Sequence, residues 1–263
     1  MPELPEVETV VRTLAPKLTG RRIIDAQFSS HHVVRQPFAT LRKRVRDQLV
    51  KSVERHGKFI VITLDHGVLV IHLGMTGKLL LDSEPGPYAR AIFQLDRGVL
   101  VYDDIRHFGR IEWSERLPDR AAALGPDALH IPLEEFRKLL KTRRSGIKPL
   151  LLNQRFLRGM GNIYTDEALF EARIHPRAIA ASLSKERAGR LHSAMGDILA
   201  TAIRLKGSSI SDYVDADGQR GTFQQQHQVY GHAGDPCPIC GTPIRRIVVG
   251  QRGTHYCPKC QRS

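Results

Sequence analysis

The stretch 237–260 reads CPICGTPIRRIVVGQRGTHYCPKC, and its cysteine spacing decides how this end of the chain folds. Two Cys-x-x-Cys pairs, separated by 16 residues, supply four thiols: Cys237, Cys240, Cys257 and Cys260. Each pair can present two thiolates from one tight turn, and this spacing is typical of a four-thiolate zinc ribbon. Four thiolates leave no open position for a substrate, so we expect one structural Zn2+.

The residues around the cysteines indicate the local fold of this module, its binding partner and its cellular compartment. The residues between the pairs predict a hairpin with strands at 245–250 and 254–256. The module also carries four cations: Arg245, Arg246, Arg252 and Lys259. We favour a metal that holds a basic, DNA-contacting hairpin. The alternative is two disulfides or free thiols, but the acidic N-terminus lacks the features of a secretory signal, so we expect a reducing, cytoplasmic compartment.

The net charge indicates a polyanionic partner. The 263 residues hold 40 Lys and Arg against 27 Asp and Glu, a formal charge of +13. Each cation placed on a phosphate releases condensed counterions, which favours nucleic acid. Ribosomal and membrane-surface proteins are also basic, so the charge alone does not identify nucleic acid as the partner. Because no apolar stretch is long enough to cross a bilayer, we expect no membrane partner.

The first part of the chain predicts an antiparallel β-sandwich or barrel that carries a helix or two. An amphipathic helix is indicated first, because apolar residues form one stripe before a stop at Gly20: Val7, Val10, Val11, Leu14 and Leu18. Short β-branched runs follow at 23–28, 59–64, 68–73, 91–95 and 99–102. Two Asp-x-Gly segments, 65–67 and 96–98, predict hairpin turns between neighbouring runs.

Beyond a break rich in Pro, Gly and charge near residues 115–132, the apolar period becomes helical. Helices are predicted at 133–141, 148–153 and 162–172, and from the N-cap Ser184 to Gly207. The polar, Gly-containing segment 208–228 predicts a mobile loop. We divide the chain into an N-terminal domain (1–115), a hinge (116–130), a helical domain with this loop (131–228) and a C-terminal cysteine module (229–263).

The N-terminus can itself act as a reagent. Removal of Met1 before the small residue Pro2 leaves a secondary amine, and an α-amino group titrates near ~8, below a lysine amine. Attack of this amine on a sugar C1′ gives an iminium that cannot lose a proton from nitrogen, which makes the C2′ proton acidic. Glu3 lies beside it as a candidate acid and base. On these residues alone, a plain helix start at Pro2, Pro5 and Glu6 is the simpler interpretation.

Six sequence blocks together resemble the formamidopyrimidine-DNA glycosylases. They are PELPEVET (2–9), HLGMTG (72–77), RHFGR (106–110), GMGNIY (159–164), QVYG (228–231) and the cysteine module. The blocks stand in family order and span nearly the whole chain, so their combination is specific although each is weak alone. The resemblance implies an α+β fold: an N-terminal antiparallel β-sandwich with flanking helices, then a helix–two-turn–helix domain with the four-cysteine zinc finger.

The resemblance also implies an enzyme of base excision repair that acts on damaged double-stranded DNA. Its substrates would be oxidised purines, 8-oxoguanine and formamidopyrimidines, removed by a combined glycosylase and abasic-site lyase. Pro2 would be the Schiff-base nucleophile and Glu3 the proton donor and base. Lys58, in HGKF, matches the lysine assigned to β-elimination and phosphate contact. Arg252, in QRGT, matches the arginine assigned to δ-elimination and to the flanking phosphates.

Several DNA contacts are implied as well, because a base inside the stack hides its C1′ and must be extruded. Met75, Arg106 and Phe108 match the family's void-filling residues. Core packing is the alternative for Met75 and Phe108, but the neighbouring glycines favour exposed turns. His72 and Asn162 match contacts to phosphates near the extruded nucleotide. Asn162 could also be an ordinary N-cap, and the two roles are compatible.

Four more positions bear on DNA binding. Arg90 and Arg143 correspond loosely to DNA-contacting positions, and histidine is the expected residue at the first of them. His107 stands where many relatives carry a second arginine, which weakens one phosphate contact. Lys148 could contact DNA or be a solvated helix cation.

Two other functions remain open. One branch of the family prefers oxidised pyrimidines, but its members usually carry Gly at the position of Leu4, and the loop 215–225 resembles the purine-preferring type. A non-catalytic zinc-ribbon DNA-binding protein would fit the charge and the cysteines equally well. Such a protein has no chemical need for the combination of Pro2, Glu3, Lys58 and Arg252. We expect a monomer with one structural Zn2+ and no other cofactor.

Overall fold

The computed structural model describes Met1–Arg262, and these residues form two compact units. The first, the sheet unit, comprises Met1–Ala123 and Leu205–Gln224. The second, the helical unit, comprises Leu124–Arg204 and the described chain from Gln225 onward. The first boundary, after Ala123, lies inside the segment 116–130 where we placed a hinge.

Within the described residues, eight antiparallel strands and three helices make up the sheet unit. In chain order they are α1 (Leu4–Leu18), β1 (Arg22–Phe28), α2 (Phe38–Val45), β2 (Gln48–His56), β3 (Phe59–Leu64), β4 (Val68–His72), β5 (Lys78–Leu81), β6 (Ala89–Leu95), β7 (Val99–Asp103), β8 (Arg110–Ser114) and α3 (Asp119–Ala122). The strand order is β5-β7-β6-β1-β2-β3-β4-β8. Because β1 and β2 pair only through Arg22–Leu49 and Ile23–Gln48, the sheet has two four-stranded halves with a narrow junction.

The two halves of the sheet share one hydrophobic core. Phe93 and Tyr102 from one half and Ile60 and Ile71 from the other belong to the same cluster, and all four are 0% exposed. α1 adds its predicted apolar stripe, every residue of which is buried. A core enclosed by two sheet layers is the arrangement of a β-sandwich. The predicted antiparallel sandwich is therefore confirmed.

Both predicted hairpin turns are present, but three of the observed strands were not predicted from the sequence. In the turns at 65–67 and 96–98, the preceding leucine N–H donates to the glycine carbonyl at 3.0 and 3.1 Å, and both glycines have positive φ. The missed strands are β2, β5 and β8. β2 contains a register shift between Val50 and Ser52 that interrupts its alternation. β5 and β8, with four and five residues, are too short to give a periodic signal.

The helical unit follows the predicted helices closely. Its elements are α4 (Leu133–Lys141), α5 (Ile147–Leu152), a 3-10 turn (Ala180–Ser182) between α6 (Asn162–Glu171) and α7 (Lys185–Arg204), β9 (Arg245–Val249) and β10 (Arg252–Tyr256). Ser184 caps α7 as predicted, because its Oγ accepts the Arg187 N–H at 3.2 Å. α6 is buried around nearly its whole circumference, so it is the central helix of the unit. In the described part of the chain, no helix is long and apolar enough to cross a membrane.

The segment 208–228, which we predicted to be a mobile loop, is held by buried contacts. As far as Gln224 it packs in the sheet unit, and Tyr213 belongs to the core cluster of that unit. Ser208 and Asp215 are buried, and the Asp215 carboxylate accepts two backbone N–H groups of the same segment. Side-chain hydrogen bonds of this kind order a polar loop without any apolar period in its sequence, which explains the difference from our expectation.

Candidate active site and nucleic-acid interface

Pro2 and Glu3 lie at the start of α1, where a reciprocal pair of hydrogen bonds fixes the backbone. The Glu6 carboxylate accepts the Glu3 N–H at 2.8 Å, and the Glu3 side chain accepts the Glu6 N–H. This capping box satisfies two helix-end donors. Pro2 and Glu3 are both buried, Glu3 with 3% of its surface exposed. The helix therefore holds the two candidate catalytic residues in one backbone conformation.

Glu6 also fixes the segment 205–224 of the sheet unit. Its Oε1 accepts the Ser208 N–H at 2.7 Å, and the Tyr213 hydroxyl donates to the Glu6 carbonyl at 3.2 Å. Gly207 approaches so closely that a Cβ there would lie 2.6 Å from Glu6 Oε1, and its φ of +77° suits glycine. One buried carboxylate thus ties the candidate nucleophile to this loop.

Lys58 and His72 lie together at the ends of neighbouring strands of the sheet unit. Lys58 precedes β3, whose first residue pairs with His72. Burial lowers the pKa of His72 from 6.5 to about 4, and three neighbouring cations add to the effect: Lys58, Arg120 and Arg110. The Gly74 N–H donates to His72 Nδ1 at 3.1 Å, so the neutral ring carries its proton on Nε2. His72 is therefore a neutral hydrogen-bond donor in a cationic neighbourhood.

The three residues matched to void filling lie on two loops of the sheet unit. Met75, between β4 and β5, is 40% exposed, and Phe108, between β7 and β8, is 55% exposed. The Arg106 guanidinium lies 4.6 Å from the centre of the Phe108 ring, a cation–π contact. Side chains exposed to this extent do not belong to the hydrophobic core. The prediction that Met75 and Phe108 stand on exposed turns is confirmed.

Of two further positions, Arg90 lies on β6 and His107 lies in the loop between β7 and β8. The Arg90 guanidinium lies 5.8 Å from the Tyr88 ring centre, and its Nε donates to the Asp104 carbonyl at 2.9 Å. His107, in the left-handed region at φ +57°, has its Nδ1 at 2.8 Å from Ser30 Oγ. The histidine thus anchors its loop to the segment after β1, and its ring is turned toward Ser30.

In the helical unit, Asn162 and Arg252 are joined through the hairpin backbone. Asn162 is the first residue of α6, and Gly161 occupies the cap position, so the alternative of an Asn162 N-cap is wrong. Its Nδ2 donates to the Gly253 carbonyl at 2.9 Å, next to Arg252 at the start of β10. Arg252 and Arg143 are both exposed. Asn162 therefore orients the backbone beside a candidate catalytic arginine.

Lys148 is fully buried, so neither a solvated cation nor a DNA contact describes it. Its Nζ donates to Asp166 Oδ1 at 2.5 Å and to the Gly253 carbonyl at 3.1 Å, and both side chains of the ion pair are 0% exposed. Asp166 Oδ2 accepts the His255 N–H at 2.8 Å. The expectation failed because a buried charge requires a partner that only the fold supplies. The pair fixes the hairpin on both sides of Thr254.

The four cysteines converge on one site in the helical unit. Their sulfur atoms all lie within 4.8 Å of one another, and no other such group of ligands occurs among residues 1–262. Four thiols at this separation fit a tetrahedral Zn2+, and two of them, Cys237 and Cys257, are also buried in an apolar cluster with Phe170. The four cysteines fit one structural Zn2+, as predicted.

Three family models match the chain in order. They describe the formamidopyrimidine-DNA glycosylase N-terminal domain at residues 1–111, its H2TH domain at 124–214, and a zinc finger found in FPG and IleRS at 234–262. A formamidopyrimidine-DNA glycosylase of Solibacter usitatus is 53% identical over 264 residues, which cover 100% of both chains. The chain belongs to the formamidopyrimidine-DNA glycosylase family.

Solved structures of the family have the same fold. The MutM (Fpg) protein from Thermus thermophilus matches with a TM-score of 0.89 and 42% identity, covering 99% of this chain and 98% of that one. A mutant Lactococcus lactis Fpg in complex with DNA containing Fapy-dG matches with a TM-score of 0.89 and 34% identity, covering 100% of both. These matches confirm the α+β architecture and the family resemblance.

Three buried carboxylates of this glycosylase family member were missed as site residues by sequence reasoning. Glu6 could have been found, because Glu3-x-x-Glu6 ahead of an apolar stripe has capping-box spacing. Asp166 and Glu167 lie on α6 without such a signal. Glu167 accepts three backbone N–H groups of the QVYG block, at 2.8 to 3.0 Å, and burial raises its pKa. All three carboxylates accept hydrogen bonds from backbone N–H groups. Because the backbone is the same in nearly every residue, the segment that is bound carries no sequence signal.

Proposed function

We propose that this chain is a bifunctional DNA glycosylase and abasic-site lyase that removes oxidised purines from double-stranded DNA. The observation that carries the proposal is the N-terminal arrangement, in which Pro2 and Glu3 stand at a buried helix start fixed by Glu6. A proline amine beside a carboxylate is a nucleophile beside an acid–base group. A protein that only binds DNA has no chemical need for this pair, and the family resemblance assigns both roles.

The proposed reaction begins with the free amine of Pro2 after Met1 is removed. The amine nitrogen attacks C1′ of the damaged nucleotide, the bond from C1′ to the base breaks, and the base leaves with the proton from the amine. Glu3 donates a proton to O4′, the sugar ring opens, and the nitrogen carries the positive charge as an iminium. The Glu3 carboxylate then removes the C2′ proton, and the C3′–O bond breaks with departure of the 3′ phosphate.

Lys58 and Arg252 assist the two phosphate departures in this proposal. Lys58 is 7% exposed and lies beside His72, so its charge acts in a partly desolvated place where it is stronger. We assign it to β-elimination and to a phosphate contact. Arg252 is exposed at the first position of β10, and we assign it to the departure of the 5′ phosphate in δ-elimination. Cations placed on a developing phosphate charge stabilise the transition state.

DNA binding uses donors and apolar wedges from both units. Neutral His72 donates from Nε2, and we assign phosphate contacts also to Arg90, Arg143 and Asn162. Met75, Arg106 and Phe108 fill the space that the extruded nucleotide leaves. The net charge of +13 supports a DNA partner. Solved structures of relatives in complex with DNA that contains Fapy-dG or an abasic site support this substrate class. The zinc, when bound, holds the basic hairpin in shape.

A free N-terminus is the most specific requirement of the proposal, so blocking it is the test. We would compare the processed protein with a chain that carries a removable peptide before Pro2, using a duplex with one 8-oxoguanine opposite cytosine. The same peptide placed after the C-terminus is the matched control. We expect the N-terminal extension to abolish strand cleavage while leaving part of the DNA affinity, and its removal to restore cleavage. Equal cleavage by the blocked chain would show that Pro2 is not the nucleophile.

A further inference from the structure

Asp104 is a buried carboxylate between the two loops that carry the candidate void-filling residues. The first insertion loop, 73–77, joins β4 to β5 and carries Met75. The second insertion loop, 104–109, joins β7 to β8 and carries Arg106 and Phe108. The side chains that must enter a duplex are exposed, whereas Asp104 beneath them is 0% exposed and Thr76 only 6%. A buried charged group needs a structural reason for its place.

Hydrogen bonds from both loops meet at this carboxylate. Asp104 Oδ1 accepts the Thr76 hydroxyl at 2.6 Å, which links the second insertion loop to the first. The same oxygen accepts the Arg106 N–H at 3.3 Å, and Oδ2 accepts the Gly109 N–H at 2.8 Å. Thr76 Oγ1 also lies 3.3 Å from the Arg106 N–H as a second acceptor. The Thr76 hydroxyl is therefore both donor to Asp104 and acceptor from the backbone of Arg106.

The backbones of the two loops also touch directly. A Cβ added to Gly74, at φ +62°, would lie 2.5 Å from the Phe108 carbonyl carbon. A Cβ added to Gly109 would lie 1.6 Å from the oxygen of the Tyr102 hydroxyl, and this O–H donates to the His72 carbonyl at 3.3 Å. There is no room for a side chain at either glycine, so the backbones around the two loops are closely packed.

We propose that Thr76 and Asp104 are positioning residues that join the two insertion loops, so that Met75, Arg106 and Phe108 enter the duplex as one rigid body. The inference rests on the proposed function. Extruding a nucleotide costs a few kcal/mol of unstacking, and inserted side chains offset this only if they are already ordered. Two independent loops would each lose freedom on insertion. The Asp104–Thr76 bond fixes them in advance.

Substitutions that remove or keep the hydroxyl group of Thr76 distinguish the proposed positioning role from a purely structural role. Thr76→Val removes the donor and keeps the shape, whereas Thr76→Ser keeps the donor. Thr63→Val on β3 makes the same chemical change at a partly buried position away from both loops. Asp104→Asn weakens the acceptor and serves as a second variant, although its burial makes it the more disruptive change. Melting temperatures of all variants are measured alongside the kinetics.

Single-turnover rates on two duplexes supply the test. One contains 8-oxoguanine opposite cytosine, and the other contains an abasic site, which has no base to unstack. We expect Thr76→Val to slow the 8-oxoguanine reaction about 10-fold, the equivalent of one buried hydrogen bond, and to slow the abasic reaction much less. Thr76→Ser and Thr63→Val should match the wild type. 2-Aminopurine beside the lesion should show a smaller fluorescence rise with Thr76→Val, because insertion is impaired.

The outcomes distinguish the inference from the proposed function. If the wild type cleaves both duplexes and the Thr76→Val variant cleaves them at the wild-type rates, the inference is overturned. The proposed function is not affected by that outcome. Equal slowing on both duplexes, or slowing by Thr76→Ser as large as by Thr76→Val, would also overturn the inference and indicate a general structural defect. A wild type that cleaves neither duplex would overturn the proposed function and the inference with it.

Discussion

The start of α1 and the zinc-finger hairpin hold their candidate catalytic residues by different means. At α1, the Glu6 carboxylate accepts two backbone N–H groups, those of Glu3 and Ser208. At the hairpin, the buried ion pair of Lys148 and Asp166 binds one backbone carbonyl and one backbone N–H. Removing one partner of a buried pair leaves an uncompensated charge, whereas a carboxylate held by N–H groups leaves only unpaired dipoles. We conclude that the loss of one residue destabilises the contacts at the hairpin more than the contacts at the start of α1.

Removal of zinc should produce the largest effect, and this effect should be confined to the zinc-finger hairpin. Cys257 is 0% exposed and packs with Phe170 and Val229, so the loss of the metal also loosens apolar packing. Structural zinc in small fingers contributes on the order of 10 kcal/mol. We expect chelation to abolish affinity for duplex DNA, measured by fluorescence anisotropy, and added Zn2+ to restore it. Affinity that survived complete removal, confirmed by metal analysis, would contradict this role.

Breaking the buried ion pair should be the next largest effect. Asp166→Ala leaves Lys148 buried without its carboxylate, and we expect the free energy of unfolding to fall by about 3–5 kcal/mol. The exposed pair of Glu186 and Arg190 on α7, with side chains 82% and 43% exposed, offers the control. Glu186→Gln should change stability by less than ~1 kcal/mol. Urea denaturation of both variants measures the difference, and equal losses would refute the contrast between buried and exposed pairs.

A single substitution in α1 should lower the free energy of unfolding less than Asp166→Ala does, and its larger effect should be on catalytic activity. Glu6→Gln keeps one acceptor oxygen for two backbone N–H groups, so we expect a loss of about 1–3 kcal/mol. Because these bonds fix the backbone of Glu3 and Ser208, the rate of strand cleavage should fall more than DNA affinity does. Parallel cleavage and anisotropy measurements test this split. If affinity and rate fell together, Glu6 would be a general structural residue and the start of α1 would not differ in kind from the hairpin.

The smallest predicted effect concerns pH and lies on the sheet unit. The unfolded chain binds the His72 proton with a pKa of 6.5 and the folded chain with a pKa of about 4. The unfolded state therefore binds more protons as the pH falls below 6.5, and stability falls in that direction. We expect a loss of about 1 kcal/mol between pH 7 and 5.5 from this group. His72→Gln should flatten the curve there, and an unchanged slope would contradict the assignment.

The sequence predicted what depends on local spacing. The cysteine pairs, the apolar stripe of α1 and the Ser184 cap each use residues a few positions apart, and all three are present in the structure. The glycines around Met75 and Phe108 correctly indicated exposed turns. These features depend on chain geometry within a turn or two, which one sequence contains in full.

Long-range contacts of buried polar groups were beyond reach of the sequence. Glu6 meets Ser208 across 202 positions, and Lys148 meets Gly253 across 105. Nothing in a lysine or a glutamate signals that its partner lies that far along the chain. The prediction for Lys148 was wrong for this reason, since a lone cation is normally solvated. Glu6 was half visible, as a capping-box residue without its second role.

The central claim is that the amine of Pro2 forms the covalent intermediate, and borohydride trapping tests it most directly. Processed protein would be mixed with the 8-oxoguanine duplex in the presence of the reductant, and the trapped complex digested and mapped by mass spectrometry. We predict one protein–DNA cross-link, located at Pro2. A cross-link at Lys58 or another lysine, or efficient strand cleavage with no trapped complex, would contradict the claim.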